Sequence, residues 1–150
     1  MPELLATAAP FIGTVFGPSS VSIRLKEIVV LRTSARLHCR YCVQTHTAVA
    51  LDSGLSRDEV TALRADGPAG KVFEDAREQA LLEWTDVLAA GNDAVSGEAA
   101  AAVKELYSDA EIVELTLLSG ATIMLNRYCT ALDLPTAVAT VERLEAEDLL

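Results

Sequence analysis

The chain has 150 residues, 51% of them hydrophobic, enough apolar material for one domain over residues 1–150 with a true core, which excludes a disordered polypeptide. Its 12 Lys+Arg are outweighed by 22 Asp+Glu, a net charge of -10. Such a surface repels phosphate backbones and anionic lipid, so neither nucleic acid nor a membrane is an expected partner.

The first segment, MPELLATAAPFIGTVFG, has Glu3 where a signal peptide needs basic residues, and Pro10 breaks its apolar run. It is therefore not read as a leader. The longest apolar run, Leu115 to Leu125, falls short of the roughly 20 residues that cross a bilayer. The expected location is the reducing cytoplasm. There, an odd set of three cysteines argues against a disulfide framework and for catalytic, redox or metal chemistry.

The pattern beyond this segment is helical nearly everywhere, and an all-α fold of about six to eight helices is expected. Ser22 is placed to cap a helix over IRLKEIVVLRTSARL. The next helix covers RYCVQTHTAVALDSG and stops at Gly54. Ser56 and Glu59 form a capping box opening RDEVTALRAD, closed by Gly67. In FEDAREQALLEWTDVLAAG, one face carries Ala76, Ala80, Leu81, Trp84, Val87 and Leu88, with Asp75, Glu78 and Asp86 elsewhere and Gly91 at the end. A short helix follows in GEAAAAVKELY. A second capping box, Ser108 with Glu111, opens a long helix through EIVELTLLSGATIMLNRYCTAL. It is apolar on most faces from Val113 to Leu125, as expected of a helix buried in the core or at a subunit contact. Pro135 interrupts, and AVATVERLEAEDLL forms a last amphipathic helix.

Reactive chemistry concentrates in Cys39, Cys42 and His46, a C-x2-C-x3-H cluster. On a continuous helix the three fall within roughly 60° of one another. Cys42 and His46 are then one turn apart, close enough for the imidazole to take the thiol proton and leave the reactive thiolate. Cys39, one turn the other way, is placed to close a disulfide with Cys42. The same residues suit zinc, with two sulfurs and a nitrogen, but a structural site usually takes four ligands and no second pair follows. His38 points away if the helix is continuous. Tyr41 either packs or offers its hydroxyl to a substrate. Cys129, remote in sequence, reads as a core residue. Asn126 and Arg127 suit a pocket, a cap or an interface equally.

Glu27 lies among Leu25, Ile28, Val29 and Leu31, and spacing alone favours an ion pair with Arg24. One straight helix from 27 to 46 would hold it about 28 Å from His46. Reaching the histidine requires a break near RLHC, which no glycine or proline marks.

The segment LKEIVVLRTSARLHCRYCVQTHTAVALDSGLSRDEV resembles the core of the AhpD-like superfamily of alkylhydroperoxidase D and carboxymuconolactone decarboxylase. Glu27, Cys39, Cys42 and His46 stand at the spacing of its redox-active branch, and EIVELTLLSGATIMLNRYCTALDLP is similar to its long helix. The resemblance spans about residues 20–135 and matches the shorter, single-core members. It implies an all-α fold, a homo-oligomer (trimer or hexamer) and peroxidase or disulfide-reductase chemistry with no cofactor. In that branch Glu27 would assist His46, His46 would deprotonate Cys42, and Cys42 would attack a hydroperoxide. Cys39 would then condense with the oxidised sulfur, and a dithiol or protein reductant would reopen the disulfide. The best-known members carry a histidine where this chain has Tyr41. A decarboxylase-like lyase is the alternative on the same scaffold; that branch typically lacks the cysteine pair.

Overall fold

The computed structural model describes residues 2–91 and 97–150. Among them are eight α-helices and no strand: α1 Pro2–Phe16, α2 Ile23–Arg36, α3 Arg40–Asp52, α4 Arg57–Arg64, α5 Ala76–Ala90, α6 Gly97–Leu106, α7 Asp109–Ala131 and α8 Val138–Ala146. A 3-10 turn, Gly70–Val72, precedes α5. The all-α expectation holds. No helix among the described residues is long and apolar enough to cross a membrane.

The helix starts follow the local chemistry. Ser22 Oγ accepts the Leu25 N–H, and both expected capping boxes form, Ser56 with Glu59 and Ser108 with Glu111. The stops are less orthodox. In a Schellman ending, the residue after the cap turns left-handed and two N–H groups reach back to the last carbonyls. Gly54 does this after α3, where Leu55 donates to Ala50 O and Gly54 to Leu51 O. His38 does it after α2, at φ 54°, with Cys39 donating to Ser34 O and His38 to Ala35 O. Asp133 and Asp148 end α7 and α8 the same way. Helix α4 stops at Arg64, short of the expected Gly67, whose carbonyl instead accepts Arg32 Nη2. Helix α1, read from sequence only as an interrupted apolar run, forms through Pro10 and buries only Val15.

Helix α2 is the axis of the bundle, packed against α3, α4, α5 and α7. Every residue from Lys26 to Ala35 is buried, three charges included. Each charge has partners, as burial demands. Lys26 Nζ donates to Val15 O and Gly17 O and pairs with Glu114 at 2.8 Å. Arg32 clamps Asp86 with Nε and Nη2 and donates to three carbonyls, of Leu63, Ala65 and Gly67. Glu27 does not pair with Arg24, as spacing alone favoured; Arg24 reaches Glu59 and Glu78, which draws Glu78 of α5 into the interior against expectation.

The main core joins Ile28 to Leu31 with Val60, Leu63, Phe73, Leu81, Leu82, Leu115 and Leu118. Helix α7 contributes one face only. Val113, Leu117, Met124 and Tyr128 on its other side are 60%, 50%, 47% and 48% exposed. It is not buried all round.

Candidate active site

Because His38 turns the chain, Cys39 is not on the cysteine helix. It is the N-cap of α3, in extended conformation, with its Sγ accepting the Cys42 N–H at 3.4 Å. This replaces the shared helical face expected from spacing. The outcome for the sulfurs is the same: Cys39 Sγ and Cys42 Sγ lie 2.7 Å apart, as free thiols. The pair straddles the first turn of α3, so no loop has to move for them to meet.

The same reversal solves the reach of Glu27. Helices α2 and α3 fold against each other, and Glu27 Oε2 sits 2.9 Å from His46 Nδ1. The Glu27 side chain is 4% exposed and that of His46 23%. As a carboxylate Glu27 only accepts, so the proton belongs on Nδ1 and the Nε2 lone pair is left free to take another. The Phe16 ring lies 6.4 Å from the imidazole, centroid to centroid, and places the end of α1 beside it.

His46 makes no hydrogen bond to Cys42, contrary to the direct contact expected from one-turn spacing. Nothing near Cys42 draws its proton off. Burial, then the hydrogen bond to Cys39, then proximity to Cys39 and Cys129, hold the thiol well above its ordinary range. Burial thus favours the protonated thiol of Cys42 over the thiolate.

Sequence reasoning missed one neighbour. Cys129 of α7 packs with Cys39 and Cys42 in a buried three-sulfur cluster, flanked by Tyr41 and Leu134 and separate from the main core. It is buried, as expected, but beside Cys39 and Cys42. The signal was present as a stripe of small or polar residues, Ser119, Thr122, Asn126 and Cys129, on the buried face of an otherwise apolar helix. Asn126 belongs to that stripe and donates to Ser34 Oγ and Thr122 O; Arg127 is exposed.

A cavity of about 220 Å³ opens beside the sulfurs, lined by His38, Cys39, Arg40, Tyr41, Cys129, Thr130, Asp133 and Leu134. His38 thus faces the site that a continuous helix would have turned it from, and Tyr41 both packs and lines the cavity. Three larger clefts elsewhere, of about 330, 520 and 540 Å³, contain no cysteine or histidine; the smaller one exposes Cys39 and Cys129 but not Cys42. Among the described residues no three Cys, His, Asp or Glu side chains are arranged to hold a metal ion.

The model of the carboxymuconolactone decarboxylase family matches residues 2–87, the segment that carries Glu27, both cysteines of the pair and His46. The chain belongs to that family. It is part of the AhpD-like superfamily, and the solved structures agree. A protein of unknown function from Agrobacterium tumefaciens, for which a role as the antioxidant defence protein AhpD has been suggested, superposes with a TM-score of 0.81 at 25% identity, over 92% of this chain and 93% of that one. A peroxidase-related protein from Silicibacter sp. TM1040 gives 0.82 at 17% identity, over 93% of this chain and 73% of that one. The debrominase Bmp8, as a cysteine-to-alanine variant bound to 2,3,4-tribromopyrrole, gives 0.81 at 17% identity, covering 97% and 76%. No functionally curated protein matches the chain. One structure of this fold is a debrominase, so the fold by itself names no single chemistry.

Proposed function

We propose that this protein is a thiol-dependent peroxidase or dithiol–disulfide oxidoreductase of the redox-active branch of its family, acting as a single AhpD-like domain in the cytoplasm. The observation that carries the reading is a pair of free thiols, Cys39 and Cys42, at 2.7 Å, with a histidine one helical turn on that is oriented by a buried carboxylate. Glu27 holds His46 with Nε2 free. Residues four apart on a helix have Cβ atoms about 5–6 Å apart, a span that one water bridges between Nε2 and Sγ. His46 takes the Cys42 proton by that route. The thiolate attacks the O–O bond of a hydroperoxide, and the proton leaves with the alkoxide as an alcohol, giving a Cys42 sulfenic acid. Cys39 condenses with it, releasing water and forming the Cys39–Cys42 disulfide. A small dithiol or a protein reductant then exchanges with the disulfide, leaves oxidised, and restores both thiols.

The lyase alternative needs neither sulfur, and the buried three-sulfur cluster would then have no use. The exposed side of α7, Val113, Leu117, Met124 and Tyr128, supports a homo-oligomer, since an apolar stripe along a 23-residue helix is suited to a second copy.

The test is a thiol count by mass before and after a stoichiometric pulse of an organic hydroperoxide. The reading expects a loss of two thiols, joined as Cys39–Cys42, and no steady turnover in Cys42→Ser. Cys39→Ser should still be oxidised at Cys42 but form no Cys39–Cys42 disulfide. Full turnover by Cys42→Ser would sink the proposal.

A further inference from the structure

We infer that Cys129 is a third redox thiol, a second partner able to close a disulfide with Cys42. This rests on the thiol chemistry proposed above and adds a participant to it. A buried cysteine usually behaves as a small hydrophobe. Cys129 departs from that pattern in two respects. It belongs to a cluster whose other buried members are the two reactive sulfurs, and not to the main apolar core. It also shares with Cys39 the wall of the 220 Å³ cavity, which Cys42 does not line. A reagent entering there meets Cys39 and Cys129 first.

A sulfenic acid or a disulfide reacts with whichever thiol lies within reach and aligned. Cys129 is held in place by the last turn of α7, where its carbonyl accepts the Leu134 N–H of the Schellman ending at 3.1 Å. Burial raises the Cys129 thiol and the neighbouring Cys42 offsets part of that rise, in keeping with the packing of the two side chains.

Two steps follow, and both balance. The Cys42 sulfenic acid condenses with the Cys129 thiol: the S–O bond breaks, the Cys42–Cys129 bond forms, and the thiol proton leaves with hydroxide as water. Alternatively, the Cys129 thiolate attacks Cys42 of the Cys39–Cys42 disulfide and expels Cys39. The proton moves from Cys129 to Cys39, with no net oxidation. Either way Cys42 is held in a disulfide while Cys39 remains a thiol.

The three cysteines fall on three separate tryptic peptides, because Arg36, Arg40 and Arg127 are cleavage sites. The experiment treats Cys39→Ser, and the double variant Cys39→Ser with Cys129→Ser, with stoichiometric cumene hydroperoxide. Separate samples receive diamide, which couples neighbouring thiols without a sulfenic acid. After alkylation in denaturant the peptides are mapped, and dimedone reports sulfenic acid. Cys39→Ser should give an intramolecular Cys42–Cys129 crosslink with both oxidants and no dimedone adduct. The double variant should give no crosslink with either, and a dimedone adduct after hydroperoxide. Wild-type protein under limiting diamide should contain some Cys42–Cys129 species, a readout that does not depend on any variant folding. If hydroperoxide leaves Cys42 unoxidised throughout while diamide still yields the crosslink, the third thiol stands and the peroxidase reading fails. Free Cys42 and Cys129 after diamide in both wild type and Cys39→Ser, or dimedone adducts equal in the single and double variants, would overturn the inference.

Discussion

Helix α2 is buried through its centre while carrying Lys26, Glu27 and Arg32, whereas α7, apolar on most faces from Val113 to Leu125, leaves a row of large side chains in the open. Both flank the cysteine helix α3. The difference teaches that burial follows the number of neighbours an element acquires, and that charges enter the interior when partners wait for them. Four helices surround α2, and carbonyls and carboxylates from α1, α4, α5 and α7 meet its side chains. Two of its buried charges serve the fold. The third, Glu27, meets a histidine one turn from a thiol. Helix α7 mirrors this, with one buried residue, Cys129, packed in the same cluster as that thiol.

The largest effect expected from this contrast is on stability. Arg32→Ala removes the clamp on Asp86 and strips three carbonyls of their donor. Breaking one side of such a buried pair costs about 3–5 kcal/mol. Val113→Ala on the open side of α7 should stay within about 0.5 kcal/mol, as exposed substitutions do. Urea unfolding midpoints of the two variants decide it. Equal midpoints would mean that α2 is not the buried axis of the bundle.

Much of this was legible in the sequence. The capping boxes at Ser56 and Ser108, the cap at Ser22 and the glycine stop at Gly91 appear where their chemistry puts them. The break before Cys39 was not, because His38, and not a glycine, adopts the left-handed turn, and tertiary contacts of α2 and α3 hold it there. Asp133 and Asp148 conceal two further stops for the same reason. Of the site, the C-x2-C-x3-H spacing was visible. The Glu27 contact was not, since it depends on the hidden break, and spacing pointed to Arg24 instead. Cys129 was lost in a helix whose apolar residues cover most faces and so do not declare which one turns inward.

A middle-sized effect tests Glu27 as a positioning residue. Glu27→Gln keeps volume and an acceptor for Nδ1–H, so the unfolding midpoint should move little. It removes the charge that supports an imidazolium. If the carboxylate and imidazole act as a unit, the rate of Cys42 oxidation by hydroperoxide should fall about 10²-fold, the lower end of what a positioned base contributes. The loss should appear in kcat with KM unchanged. It should also shrink as pH rises, because burial holds Cys42 protonated at neutral pH and alkali supplies thiolate without help. A purely structural role would lower stability and leave the shape of the pH profile intact.

The smallest effect on the single chain is expected from Leu117→Lys on the open face of α7. The side chain is 50% exposed, and a lysine there keeps its stem on the helix and its ammonium in water, so the fold should lose no more than about 0.5 kcal/mol. An oligomer built on this stripe would feel the change far more, because each copy brings a charge into an apolar contact where it has no partner. Light scattering at matched concentration should then give the mass of one chain for Leu117→Lys and a multiple of it for the parent, with the same helical circular dichroism. The intramolecular thiol chemistry, which lies on α3 and the inner face of α7, should survive in the separated chain. A variant that keeps the parental mass would show that the row from Val113 to Tyr128 is open for some other reason, and would leave α7 with Cys129 as its single link to function.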